Sequence, residues 1–220
     1  MALLSLLAVH VMHVNARLKL WRELLAVDMD LILDRLEDEV YTDEHFWWRE
    51  FWGTDVLADV TDASIDANED QIGLLQHFPN LTGLQIYGNT GTISAETLRM
   101  IRERYPNLIG FALSNVPLDV AARRELAQFE GLEYLDLYGV NIEDDDLIEL
   151  LDRSRLVKLS LTHCRQVTDR GLSALERQPE ILRVYLDGMN VTDEGLRWLA
   201  RCKKIVSLDL TETQVTGEGL

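Results

Sequence analysis

The sequence predicts an α/β fold made of stacked copies of one strand-and-helix unit, and three observations carry that prediction. First, the stretch Leu156 to Glu180 opens with Leu156, Leu159 and Leu161 at spacing L-x-x-L-x-L. Leu159 and Leu161 therefore fall on one side of a short strand, and Lys158, Ser160 and Thr162 on the other. Second, the same phrase recurs with starts at Leu81, Leu108, Leu132, Leu156, Ile181 and Ile205, giving periods of 27, 24, 24, 25 and 24 residues. Third, Thr168-Asp169-Arg170-Gly171-Leu172 recurs as Thr192-Asp193-Glu194-Gly195-Leu196 and as Thr216-Gly217-Glu218-Gly219-Leu220. A strand and a helix that each have one apolar side cannot bury it alone; each unit needs a copy above and below.

Taken in order, the chain opens with a non-repeating region, residues 1–55, expected to be a helical and aromatic cap. Leu18, Trp21, Leu24 and Leu25 form one helically spaced run, and Leu31, Leu33 and Leu36 another. The cluster Phe46, Trp47, Trp48, Phe51 and Trp52 is expected to plug the open end of the first repeat, because the terminal core of a stack must be covered. Residues 56–220 form the repeat domain. Its first unit, Val56 to Asn80, reads as degenerate: Leu57, Val60, Ile65, Ile72 and Leu75 suit inward positions, but Asp62 stands where an apolar strand residue is expected. Six clear strands follow. The loop Gly88 to Thr92 supplies the extra turn residues of the long second period. In the index unit the chain turns at Cys164 to Gln166, Val167 points inward, and Thr168 starts a helix by accepting from a backbone N–H of its first turn. Leu172 and Leu175 give that helix its apolar side. The last unit stops at Leu220, where its helix should only be starting. That ending is consistent with a fragment, with Leu208 and Leu210 left partly uncovered, or with self-association through this end.

The phrase L-x-L-x-x-C-x-x-V-T-D-x-G-L from Leu159 to Leu172 resembles the leucine-rich repeat, and in particular the cysteine-containing subclass found in F-box substrate receptors and many bacterial repeat proteins. The resemblance covers roughly residues 57–220. It implies a right-handed horseshoe, with a parallel sheet on the concave side and helices on the convex side. The residues equivalent to Cys164 in the other units are Asn89, Val116, Val140, Met189 and Thr213. As to function, the resemblance implies an interaction module. It also carries an alternative, a substrate-recognition adaptor of a ubiquitin ligase: Leu18 to Leu24 resembles the end of an F-box, although the opening Leu-Pro is missing and all four prolines lie at or beyond Pro79.

With 220 residues, 47% of them hydrophobic, the chain has enough apolar material for one extended solenoid core. Its net charge of −17 argues against nucleic acid and anionic lipid as partners and favours a basic one. Two cysteines make no disulfide framework, so reduced thiols and a cytoplasmic setting are expected. Met1 to Val14 is apolar but shorter than the roughly 20 residues of a membrane span, and it lacks a basic leader and a cleavage site. Neither a signal peptide nor a membrane span is expected from it.

The best candidates for function are the concave positions, the third, fifth and seventh of each unit. Tyr87, Tyr134, Asp136, Tyr138, Lys158, Arg183, Tyr185, Asp187 and Asp209 stand there. Rigid amphipathic rings among Asp, Lys and Arg have the composition of a protein-binding patch. Catalytic sets are not legible. His163-Cys164 are neighbours at a strand end and point apart, with Cys164 expected in the core. Glu143 to Asp146 aligns with the helix starts, where carboxylates meet the positive end of the helix dipole, so neither a metal nor another cofactor is expected. The chain reads as a non-enzymatic module that binds a protein partner on its concave face.

Overall fold

The computed structural model describes residues 62–88 and 91–216. The proposed cap over residues 1–55, its aromatic cluster, the F-box-like stretch and residues 217–220 lie outside them. Seven strands form a single sheet in chain order, every neighbouring pair parallel: β1 (Asp62–Asp66), β2 (Gly83–Tyr87), β3 (Gly110–Ser114), β4 (Tyr134–Tyr138), β5 (Lys158–Ser160), β6 (Arg183–Tyr185) and β7 (Ser207–Asp209). Between them run α1 (Glu69–Leu74), α2 (Ala95–Arg104), α3 (Val120–Leu126), α4 (Asp144–Arg153), α5 (Asp169–Leu172) and α6 (Asp193–Leu199). The turn Leu75–His77 after α1 and the segment Ser173–Arg177 after α5 are 3-10 helix. This is the α/β leucine-rich repeat solenoid that the spacing predicts.

The inward rows explain the stack. Leu84, Phe111, Leu135 and Leu159 occupy one register row, followed by Val184, and all are buried. Ile65, Ile86, Leu113 and Leu137 make the next row, buried as well. Burying one such side chain is worth about 1.5–3 kcal/mol, so the rows together bind repeat to repeat. Val116, Val140, Cys164 and Met189 fill the turn row beneath the strands.

One expectation is corrected at the first unit. Its strand is regular rather than degenerate, because Asp62 aligns with Gly83 on the concave side while Ala63 and Ile65 align with Leu84 and Ile86 inside. Asp62 was placed one residue out of phase. Since side chains alternate faces along a strand, a one-residue slip exchanges inside for outside. Among the described residues there are accordingly seven strands, one more than the clear units predict.

The recurring Thr-Asp-x-Gly phrase has a tertiary reason as well as a local one. Thr168 and Thr192 cap their helices by accepting from Arg170 N and Glu194 N. Each also donates backward: Asp144 accepts from Thr168 N (2.7 Å) and Thr168 Oγ1 (2.8 Å), and Asp169 accepts from Thr192 N (2.9 Å) and Thr192 Oγ1 (2.6 Å). Asp193 receives Thr216 in the same way, at 2.8 and 2.7 Å. The aspartate of one unit therefore holds the threonine of the next. The glycine is needed because a Cβ at Gly171 or Gly195 would stand 2.6 or 2.4 Å from that aspartate's Oδ1. Glu143 and Asp146 form a capping box on α4, so the acidic run acts as a helix start.

Basic side chains on the convex side also reach to a neighbouring repeat, forward from Arg99 and Arg123 and back from Arg170, Arg177, Arg201 and Lys204. Arg99 meets Glu125, Arg123 meets Glu143 and Lys204 meets Glu180, at 2.6, 2.6 and 2.7 Å; Arg170, Arg177 and Arg201 pair with Asp145, Asp152 and Glu176. Most of these pairs are solvent-exposed and each contributes about 0–1 kcal/mol. Buried Gln178 makes a further tie: its Oε1 accepts from Leu156 N at 2.9 Å while its Nε2 donates to the carbonyls of Leu151 and Ser154. At the last described unit Leu208 is 39% exposed and Val206 77%.

Candidate functional site

The strand register sorts eight of the nine candidate residues into lateral rows on the concave face. Tyr134, Lys158, Arg183 and Ser207 lie side by side in the row of third positions. Asp136, Ser160, Tyr185 and Asp209 form the row of fifth positions. In the row of seventh positions Tyr87, Ser114 and Tyr138 are neighbours. Tyr134, Asp136, Tyr138, Lys158, Arg183 and Tyr185 thus form one contiguous patch over β4 to β6. Tyr87 stands apart, with Ser114 between it and Tyr138.

Alternation along β4 turns Leu135 and Leu137 inward and leaves Tyr134 and Tyr138 outside, 42% and 40% exposed. Lys158 Nζ lies 3.7 Å from Asp136 Oδ2 and 5.5 Å from the centre of the Tyr185 ring, so its charge is met on two sides. Arg183, next to it, is exposed and forms no ion pair among the described residues. Asp209 accepts from Thr211 Oγ1 at 2.6 Å and Thr211 N at 2.9 Å. Those hydrogen bonds hold its carboxyl below the usual range. Asp209 is therefore engaged locally, at the margin of the patch.

His163, which adjoins the patch, sits edge-on to the Tyr138 ring, with 5.4 Å between ring centres and an interplanar angle of 83°. It occupies a turn position of left-handed backbone (φ 57°) that recurs after the strands at Asn115, Gly139, Gly188 and Glu212. His163 N donates to Asp187 O at 2.8 Å, which places Asp187 next to that turn. Cys164 points the other way. It is fully buried, its Sγ donates to Leu137 O at 3.1 Å, and burial pushes the thiol up to about 12. Such a thiol is a poor nucleophile at neutral pH. Among the described residues no group of three or more His, Cys, Asp or Glu is placed to hold a metal ion. Nor is any described helix long and apolar enough to cross a membrane.

Sequence reasoning missed a second feature of this face, a trough of about 330 Å³ between β1 and β4. Gly83, Gly110 and Ala112 line it, with Asp62 and Ser64 on one side and Tyr134, Asp136 and Lys158 on the other. The legible signal was the pair of glycines at successive third positions, with Ala112 two residues after the second. Asp62 was hidden by the phase error in the first unit.

A family model described as Leucine Rich repeat matches residues 155–175, the unit on which the whole register rests. No curated protein matches the chain. Among solved structures the chain resembles an internalin from Listeria monocytogenes, at 18% identity and a TM-score of 0.53, over 74% of this chain and 44% of that one. The chain thus spans less than half of that protein's length, and the likeness concerns the fold. Seven in-register parallel strands among the described residues, the matched repeat among them and the internalin-like course of the chain lead to one conclusion: the chain folds as a leucine-rich repeat solenoid.

Proposed function

We propose that the chain is a non-enzymatic module that takes a basic protein partner onto its concave sheet, with Tyr134, Tyr138, Lys158, Arg183 and Tyr185 at the centre of the contact. Leucine-rich repeat scaffolds are protein-interaction modules in general, and stacked repeats offer extended concave surfaces for binding. The observation that carries the reading is the exposure of two tyrosines on β4 beside an arginine that forms no ion pair among the described residues. Large rigid rings contribute contact area at little entropic cost, and Tyr and Arg are the residue types that dominate interface energetics. The convex side offers less, because many of its cations are already matched by carboxylates of a neighbouring repeat. The charge of −17 supports a basic partner through long-range attraction.

The test is affinity capture from the source cell, followed by mass spectrometry at two salt concentrations. The baits are the native chain and the Tyr134→Ala/Tyr138→Ala/Tyr185→Ala variant. The expected result is a partner held by the native chain, weakened by salt and lost from the variant. Equal capture by both baits would remove the concave-face assignment.

A further inference from the structure

We propose that β7 pairs antiparallel with β7 of a second copy of this chain, around a two-fold axis through Leu208. The edge is open and apolar. Leu208 continues the row in which Leu135, Leu159 and Val184 are fully buried, yet it is 39% exposed, and Val206 before it is 77% exposed. Neither a proline nor an inward-facing charge blocks this edge, and unblocked edges are templates for pairing.

The backbone states which groups are on offer. Leu186 N donates to Asp209 O and Gly188 N to Thr211 O, at 2.9 and 3.0 Å, and Ser207 N donates to Leu182 O at 3.2 Å. Ser207, Asp209 and Thr211 thus turn back to β6. Alternation turns the Leu208 N–H and C=O, the Leu210 N–H and the Val206 C=O to the open edge, where none has a backbone partner among the described residues. The Val206 N–H and the Leu210 C=O are already engaged, with Leu182 O and Thr213 N. A two-fold axis at Leu208 uses what is left. Leu208 N–H meets Leu208 C=O of the other copy, and Leu210 N–H meets Val206 C=O.

The side chains name a second copy as the occupant, because the edge is complementary to itself in this register. Val206 comes opposite Leu210, apolar against apolar. Ser207 comes opposite Asp209, whose Oδ1 is held by Thr211 and whose Oδ2 has no hydrogen bond among the described residues. At either end Lys203 and Lys204 of one copy stand beside Glu212 of the other. Lys204 is shared with Glu180, whereas Lys203 and Glu212 form no ion pair among the described residues. Asn115 and His163 hold the same left-handed turn position as Glu212, and their side chains lie over Gly139 and Gly188 of the following unit. The same backbone conformation directs Glu212 across the open edge. No like charges face each other.

The experiment is sedimentation velocity of the full 220-residue chain over a range of concentrations. The expected result is a reversible monomer–dimer equilibrium. Leu208→Lys sets two ammonium groups against each other on the axis and should weaken association about tenfold or more. Because Leu208 also touches the core, a second variant lies wholly at the surface: Glu212→Lys should weaken the dimer, and adding Lys203→Glu should restore it. Cross-linking reads the register. In a Cys202→Ser background Leu208→Cys should oxidise to a linked dimer, since paired strand residues stand about 5.5 Å apart between Cα atoms and disulfides span about 4.4–6.8 Å. Val206→Cys, at the more exposed position, should not link to itself, because it pairs with Leu210. A chain that stays monomeric, a dimer indifferent to both lysine variants, or linking at Val206→Cys equal to that at Leu208→Cys would overturn the proposal.

Discussion

Strands β1 to β3 and strands β4 to β6 have the same inward rows and very different concave ones. Inside, Leu84 and Phe111 are continued by Leu135, Leu159 and Val184 without a break. Outside, Gly83, Gly110 and Ala112 give way to Tyr134, Lys158, Arg183 and Tyr185. The row of third positions is bare over β2 and β3 and carries large side chains over β4 to β6. The repeat constrains side chains that are squeezed between sheet and helices, and it leaves those on the open face to other demands. Variation at fixed register is therefore found on the open face rather than in the core.

The comparison can be broken most forcefully in the core. Leu159→Ala and Leu84→Ala, one in each half, should both lower unfolding free energy by about 2–5 kcal/mol in urea titrations, because each opens a cavity in the same ladder. A large loss in only one half would refute the shared core. Next come two glycines that look alike in the sequence. A Cβ at Gly88 would stand 2.0 Å from the backbone oxygen of Asn115, so Gly88→Ala should cost about 1–3 kcal/mol by forcing the chain aside. Gly110→Ala meets nothing closer than 3.7 Å and should stabilise the strand by about 0.5–1 kcal/mol. Thermal melts of the two variants should therefore shift in opposite directions.

Smaller effects sharpen the account of how units are joined. Asp169→Ala removes the acceptor of two partly buried hydrogen bonds from Thr192 and should cost about 1–2 kcal/mol. The amide of Thr192 should lose protection from hydrogen exchange before the amides of β3 do. The smallest effect is in acid. Hydrogen bonds from Thr216 and Thr211 depress the carboxyls of Asp193 and Asp209. A group with a depressed folded pKa contributes stability above its unfolded value, near about 4, and loses it as pH falls through the folded one. Exchange at Thr211 and Thr216, corrected for intrinsic rate, should therefore speed up only below about pH 4. The amide of Gly188, bonded to the Thr211 carbonyl, should hold its protection over the same range.

Legibility differed between elements for physical reasons. Leu159 and Leu161 declared the strand because burial on one side leaves a period-two pattern, and the Thr168 cap was legible because its partner is two residues away. Cys164 was correctly expected inside for the same reason of spacing. Asp62 misled because β1 has only Ala63 and Ile65 as inward residues, a weak pattern that a slip of one residue fits nearly as well. The Tyr patch could be listed residue by residue from the repeat register, yet the engagement of Asp209 by Thr211 and of Lys158 by Tyr185 was not legible, since rotamers and cross-strand neighbours determine it.

The sequence by itself determined the repeat, its register, the inward ladder and the side of the sheet on which each candidate residue stands, because all of these follow from periodic burial along the chain. Only the tertiary structure decided that Asp144 and Asp169 hold the next unit's threonine, that Gly171 and Gly195 make room for those carboxylates, and that Gly83, Gly110 and Ala112 open a trough beside Tyr134. Such features join residues more than 20 positions apart, and the distances between them are set by how the units stack.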